Sequence, residues 1–170
     1  MQTEVAMTTN EFLGERTRER DRFELELGDT FDVKASIVLL ILTFLGTIAA
    51  TMLTADRLKA APKLAQIPVI ALVVISGIFC VACLWPKDYL FDDLPETYAN
   101  WLADLGESDA ERLEGVTTLS MELANGRISH NHVLNKAKAW SLNGAFWFMA
   151  LALFVELGTL AYMAFAIRPS

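Results

Sequence analysis

Three long apolar runs, set between strongly polar stretches, dominate the hydropathy pattern of this chain. Residues 35–54, ASIVLLILTFLGTIAATMLT, carry no charge over twenty positions. At ~1.5 Å rise per residue such a helix is about 30 Å long, one hydrocarbon thickness of a bilayer. Residues 67–85, IPVIALVVISGIFCVACLW, form a second run of nineteen. It starts beside Pro68, where a first helical turn tolerates proline, and stops at Pro86. The third run covers residues 144–167, with Trp140, Trp147 and Tyr162 near its ends as interfacial anchors and Arg168 closing it. The pattern predicts an all-α integral membrane protein with three transmembrane helices. Around them lie a polar N-terminal segment (1–34), a short hairpin (55–66) and a helical cytosolic segment (86–143) between spans two and three.

The polar stretches also read as helices. In LPETYANWLADLG, Pro95 suits a first turn, and Tyr98, Trp101, Leu102 and Leu105 recur at i, i+3, i+4, i+7 before Gly106. Ser108 with Glu111 three residues on forms a capping box for a second helix, with Leu113, Val116 and Leu119 on one face and a stop at Asn125 and Gly126. From Ser129 one helix is expected to begin in the cytosol and run into the third span, linking a soluble part to a membrane part. Towards the N-terminus, Phe23, Leu27 and Phe31 fit a helix face, while RFELEL alternates like a strand; helix is the preferred reading.

Composition agrees, because 54% hydrophobic and 21% charged residues are what greasy spans alternating with polar segments require. The first thirty-four residues hold nine acids and five bases and no apolar core of signal-peptide type, so the first span is expected to serve as the targeting signal. Arg16, Arg18, Arg20, Arg22, Lys34, Lys87, Arg127, Lys136 and Lys138 fall on one side of the spans, and Arg57, Lys59, Lys63 and Arg168 on the other. The positive-inside bias therefore favours a cytosolic N-terminus, although the short basic hairpin also resembles a cytoplasmic loop. Both cysteines, Cys80 and Cys83, lie inside the second span, where CxxC spacing reads as packing rather than as a redox or zinc site.

No glycine-rich phosphate loop, HExxH or nucleophile-base arrangement is present, so no enzyme, metal site or cofactor is expected. His130 and His132 in SHNHV stand at i and i+2, on different helix faces, and read as a solvated helix start. A hydrolase would need them to converge with Asp92 and Asp93, which nothing in the spacing supports. The RTRER run with Arg22 could hold an anion, but Glu15, Glu19 and Asp21 interleave with it and can form local pairs. More selective is the pre-span helix. Asn131, Asn135 and Lys138 fall on one face with Arg127 just upstream, so that amides and cations could meet a nucleobase edge and a phosphate, or simply meet water. Within the third span Glu156 lies near the midplane, where an acidic side chain costs roughly 3 kcal/mol unless it meets a partner, water or a proton. It is read either as a neutral carboxyl hydrogen-bonded to Thr43, Thr47 or Ser76, or as one member of a polar ring lining an oligomeric pore.

The run DVKASIVLLILTFLGTIAATML, a second span ending in LWPK, and the passage NHVLNKAKAWSLNGAFWFMALAL into a last span resemble the transmembrane effectors of the Pycsar anti-phage system. The layout covers roughly residues 31–167, and its sharpest elements are Lys34-Ala35-Ser36 and Lys136 or Lys138. The resemblance implies an effector in the bacterial inner membrane that responds to a cyclic pyrimidine nucleotide, cCMP or cUMP, from a partner cyclase. It also implies impairment of the membrane to stop growth, with no nucleic-acid partner. A homo-oligomer is compatible with this, since Gly46 with Ala50 and Ser76 with Cys80 give small residues at fourfold spacing. The alternative is a small non-catalytic subunit or scaffold docking onto a larger transporter or signalling complex.

Overall fold

The computed structural model describes residues 9–55, 60–91 and 109–166, and among them there is no strand. Three helices follow one another: α1 (Thr9–Thr54), α2 (Ala60–Leu84) and α3 (Asp109–Ala166). Each contains a stretch long and apolar enough to cross a membrane. The expected helix around Tyr98 and Trp101, the Ser108 cap, and Asp92 and Asp93 lie outside the described residues.

Two helices extend further than their local stop signals suggest. Asn125 and Gly126 were expected to end a cytosolic helix, yet α3 passes through them unbroken for 58 residues. A glycine ends a helix only when the backbone there turns left-handed; Gly126 has no such φ, and no neighbour lies within 4 Å of where its Cβ would be. On α2, Pro68 stands inside the helix rather than in its first turn, because the helix begins at Ala60. Its side chain faces outward, so the ring avoids the packed interior. From Thr9 onward the N-terminal segment is helical, as preferred, and belongs to α1.

Burial along the helices has a period of seven. On α3 the buried positions 124, 128, 131, 135, 138, 142, 145, 149, 152, 156 and 159 alternate steps of four and three, and Arg127 is buried beside them. On α1 they run 24, 28, 35, 38, 42, 45 and 49, and on α2 62, 66, 69, 76, 80 and 83. A 3.5-residue repeat is the knobs-into-holes seam of left-handed helix packing. The helix face anticipated from Phe23, Leu27 and Phe31 is therefore displaced by one residue: Glu24 and Gly28 are buried, while Phe23 is 58% exposed.

The chain divides into two compact units. The first comprises Met1–Gly28 and Lys87–Asn135, and its described interior is largely polar. The second comprises Asp29–Pro86 and Lys136–Ser170 and holds the apolar core. Ala35, Val38, Leu42, Cys80, Cys83, Leu142, Ala145 and Met149 form one cluster, and Leu45, Ala49, Val69 and Ala152 the next. Both thiols are buried, and Cys83 Sγ donates to the Phe31 carbonyl at 3.9 Å. Phe79 lies over Gly144, where an added Cβ would come 2.9 Å from its ring, and it packs between Trp140 and Phe148 with centroids 6.1 and 5.6 Å away. Gly144 is thus the seat of an aromatic ring and not a helix boundary.

Candidate functional site

The polar residues singled out before the third span sit on the buried seam of α3. Within the first unit Arg127, Asn131 and Asn135 follow at intervals of four, which keeps them on one face. They are nearly or wholly inaccessible, at 8%, 0% and 2% exposure. Burial of amides and a guanidinium is tolerated only with partners, and each has them.

Arg127 directs Nε and Nη2 at Oδ2 of Asp21 on α1, both at 3.4 Å. Asn131 grips the backbone of one residue in the segment after α2: its Nδ2 donates to the Leu90 carbonyl at 2.9 Å, and the Leu90 N–H donates to its Oδ1 at 3.0 Å. Asn135 donates through Nδ2 to the Glu24 carbonyl at 2.6 Å and to Glu24 Oε2 at 2.9 Å. Its Oδ1 accepts from the Tyr89 hydroxyl at 2.6 Å. Gly28 makes room for that ring, since a Cβ there would fall 2.7 Å from the Tyr89 oxygen.

Glu24 is the centre of this arrangement. Its carboxylate is 2% exposed as a residue, holds Asn135 with one oxygen and meets His132 Nδ1 with the other at 3.1 Å. The histidine ring is outside, 57% exposed. His130 instead reaches the Asp88 carbonyl through Nε2 at 3.0 Å. The two histidines therefore diverge, as their i, i+2 spacing required, but both stand in mid-helix with protein partners rather than at a solvated helix start. Among the described residues no three His, Cys, Asp or Glu side chains gather as a metal cluster.

Beside Glu24 runs a groove of about 540 Å³ lined by Arg16, Glu19, Arg20, Phe23 and Glu24. Arg16 pairs with Glu19 at 2.9 Å on the exposed surface, as the interleaved charges suggested. An exposed aromatic face, two guanidinium groups and two carboxylates in one groove can stack on a planar ring, neutralise a phosphate and accept from ring N–H groups. Phe23 and Glu24 were not among the expected site residues. The apolar periodicity had assigned Phe23 to the interior and had left Glu24 on the surface.

Lys138 belongs to the second unit, where its ammonium meets both oxygens of Asp32 at 2.7 Å and is 4% exposed. Glu156 lies deeper in the same unit, 3% exposed, on the inward seam. Neither of its oxygens has a hydrogen-bonding partner. The hydroxyls expected to meet it are engaged elsewhere: Thr43 donates to Leu39 O, Thr47 to Thr43 O and Ser76 to Ala145 O.

No curated protein matches the chain significantly, and neither does any solved structure. One family does, described as the Pycsar effector protein domain, and the match runs over residues 16–168. It takes in the charged groove of α1, the polar seam of α3 and all three apolar helices, and on that breadth the chain belongs to the Pycsar effector family of anti-phage defence.

Proposed function

We propose that this protein is a non-catalytic effector that senses a cyclic pyrimidine nucleotide, cCMP or cUMP, made by a partner cyclase during infection. It answers by impairing the inner membrane, so that the cell stops growing before phage matures. The observation that carries the reading is the family match across residues 16–168 of a chain with three helices able to span a bilayer. The N-terminus and the first unit face the cytosol, where a cyclase product is found, consistent with the basic residues that flank the spans.

The chemistry of the first unit suits such a ligand. Phe23 offers a face for the base, Arg16 and Arg20 offer charge for the cyclic phosphate, and Glu24 accepts from a base N–H. Arg127, Asn131 and Asn135 take part by exchanging partners. The Leu90 N–H and carbonyl that Asn131 holds present one donor beside one acceptor, the same pair that a pyrimidine edge presents. Lys138, with Asp32, is the fourth candidate ligand group and lies in the second unit. Ligand binding selects one arrangement of α1 and α3, which contribute to both units, and the spans of several copies then associate into a membrane lesion.

The test uses the full chain in lipid nanodiscs and in cells. Calorimetric titration should detect cUMP or cCMP and not the cyclic purine nucleotides. Switching on a cyclase for the same nucleotide should collapse membrane potential only in cells carrying the protein. Absence of both binding and depolarisation with either pyrimidine nucleotide would reject the reading and favour a scaffold docked on a larger complex.

A further inference from the structure

Among the described residues, five buried side-chain oxygen and nitrogen atoms lack a hydrogen-bonding partner, and four of them belong to just two residues, Gln66 and Glu156. Gln66 is fully buried and Glu156 is 3% exposed, both in the second unit. Leaving a buried amide unpaired is costly, and leaving a carboxylate unpaired costs more. Two such groups in one small helical unit call for a common explanation.

Register brings them to one layer. Ser76 on α2 bonds the carbonyl of Ala145 on α3, and Val69, seven residues back, packs in one cluster with Ala152, seven residues on. The two helices are antiparallel at this seam. One further turn reaches Gln66, three before Val69, and Glu156, four after Ala152, both on the inward faces that carry those core residues. Thr159 follows on the same seam, 7% exposed; its hydroxyl donates to Val155 O at 3.0 Å and keeps lone pairs to offer.

Among the described residues none supplies a counter-charge to Glu156. On α1, residues 35–54 contain no titratable side chain. On α2, Lys63 stands one turn before Gln66, and Cys80 and Cys83 lie more than three turns away. On α3 the nearest titratable group is Tyr162, which is 59% exposed. None of these forms an ion pair or hydrogen bond with either Glu156 oxygen.

We propose that Gln66 and Glu156 form an intramembrane site for one monovalent cation, a proton or Na⁺, taken by the Glu156 carboxylate and completed by the Gln66 carbonyl oxygen. One positive charge on one carboxylate makes the layer neutral, which is the condition for keeping it inside a bilayer. The donor set is all oxygen, the set that hard cations prefer, with Thr159 Oγ1 available as a further ligand. The site is independent of the nucleotide reading, since neither residue belongs to the first unit.

Dicyclohexylcarbodiimide tests it, because the reagent partitions into bilayers and adds the O–H of a neutral carboxylic acid across its C=N bond, and the resulting O-acylisourea rearranges by O-to-N acyl shift to a stable N-acylurea. The full chain in nanodiscs is treated in choline buffer and in Na⁺ buffer of equal ionic strength, over a range of pH, and Glu156 is read by peptide mass spectrometry. Labelling in choline that Na⁺ suppresses identifies an alkali-cation site. Labelling indifferent to Na⁺ that fades in alkaline buffer identifies a proton site. In either case Gln66→Leu should move the half-effect by about tenfold in Na⁺ or about one pH unit. No labelling in any buffer, labelling indifferent to both ions, or a Gln66→Leu profile identical to the parent overturns the proposal. As a second reading, the melting temperature of the parent should respond to the ion that governs labelling, and that of Glu156→Gln should not; equal responses also overturn it.

Discussion

Asn135 shows how much one side chain can organise when it is buried on a helix seam. It ties α3 to the Glu24 backbone and carboxylate on α1 and to the Tyr89 hydroxyl of the segment after α2. Replacing it with leucine keeps the volume roughly but leaves a buried carboxylate and a phenol short of a partner. Asn135→Leu is therefore expected to lower stability by about 1–3 kcal/mol, read as a lower unfolding midpoint in detergent. An unchanged midpoint would mean that water replaces the amide at no cost. That Asn131 and Asn135 share one helix face was legible in the sequence from their spacing. Their partners were not, because those lie 41 to 111 residues away in the chain and no local period encodes them. Glu24 escaped for a different reason: apolar periodicity selects Phe23, yet the seam there is built from a carboxylate and a glycine, residue types that a hydrophobic template passes over.

At the scale of the element, the seven-residue seam explains which glycines matter. Gly126 and Gly158 have nothing within 4 Å of a built Cβ, whereas at Gly144 the Phe79 ring is already 2.9 Å away. Alanine at the first two positions removes backbone freedom from a helix interior, so Gly126→Ala and Gly158→Ala should each raise stability by about 0.5–1 kcal/mol. Gly144→Ala pushes Phe79 out of its place between Trp140 and Phe148 and should cost about 1–3 kcal/mol despite the better helix propensity. Thermal melts of the three variants followed by circular dichroism decide the matter. Destabilisation by Gly126→Ala would restore the helix stop read from the Asn125-Gly126 pair. The three apolar helices were legible from run length alone, since hydrocarbon thickness sets a length that few soluble helices match. The unbroken passage of α3 through Gly126 was not, because a glycine is either a cap or a tolerated interior residue according to its φ, which composition does not reveal.

For the whole molecule, any association of copies in the membrane has to use the face of the second unit that lies outside its own seam. Most large exposed residues there are apolar, including Leu40, Phe44, Trp147 and Phe154, as contact with lipid requires. A groove of about 600 Å³ differs from them, lined in part by Thr43, Gly46, Thr47, Ala50 and Thr51 of α1 with Val73 and Gly77 of α2. The threonine hydroxyls are satisfied by carbonyls one turn back, so the groove offers small, shape-defined contact surface rather than unpaired polar groups. Close approach of helices in a bilayer depends on such small residues, since lipid is as apolar as leucine and only packing discriminates. If copies associate through this groove, Ala50→Phe fills it from an exposed position without touching the core and blocks the second copy. The expected result is a protein that melts as the parent does and still binds the nucleotide. Cross-linking in membranes should fall to the monomer, and cyclase induction should no longer depolarise the cell. Depolarisation that survives Ala50→Phe at full strength would remove α1 from the association surface and leave the outer face of α3, with Trp147 and Phe154, as the side to alter next.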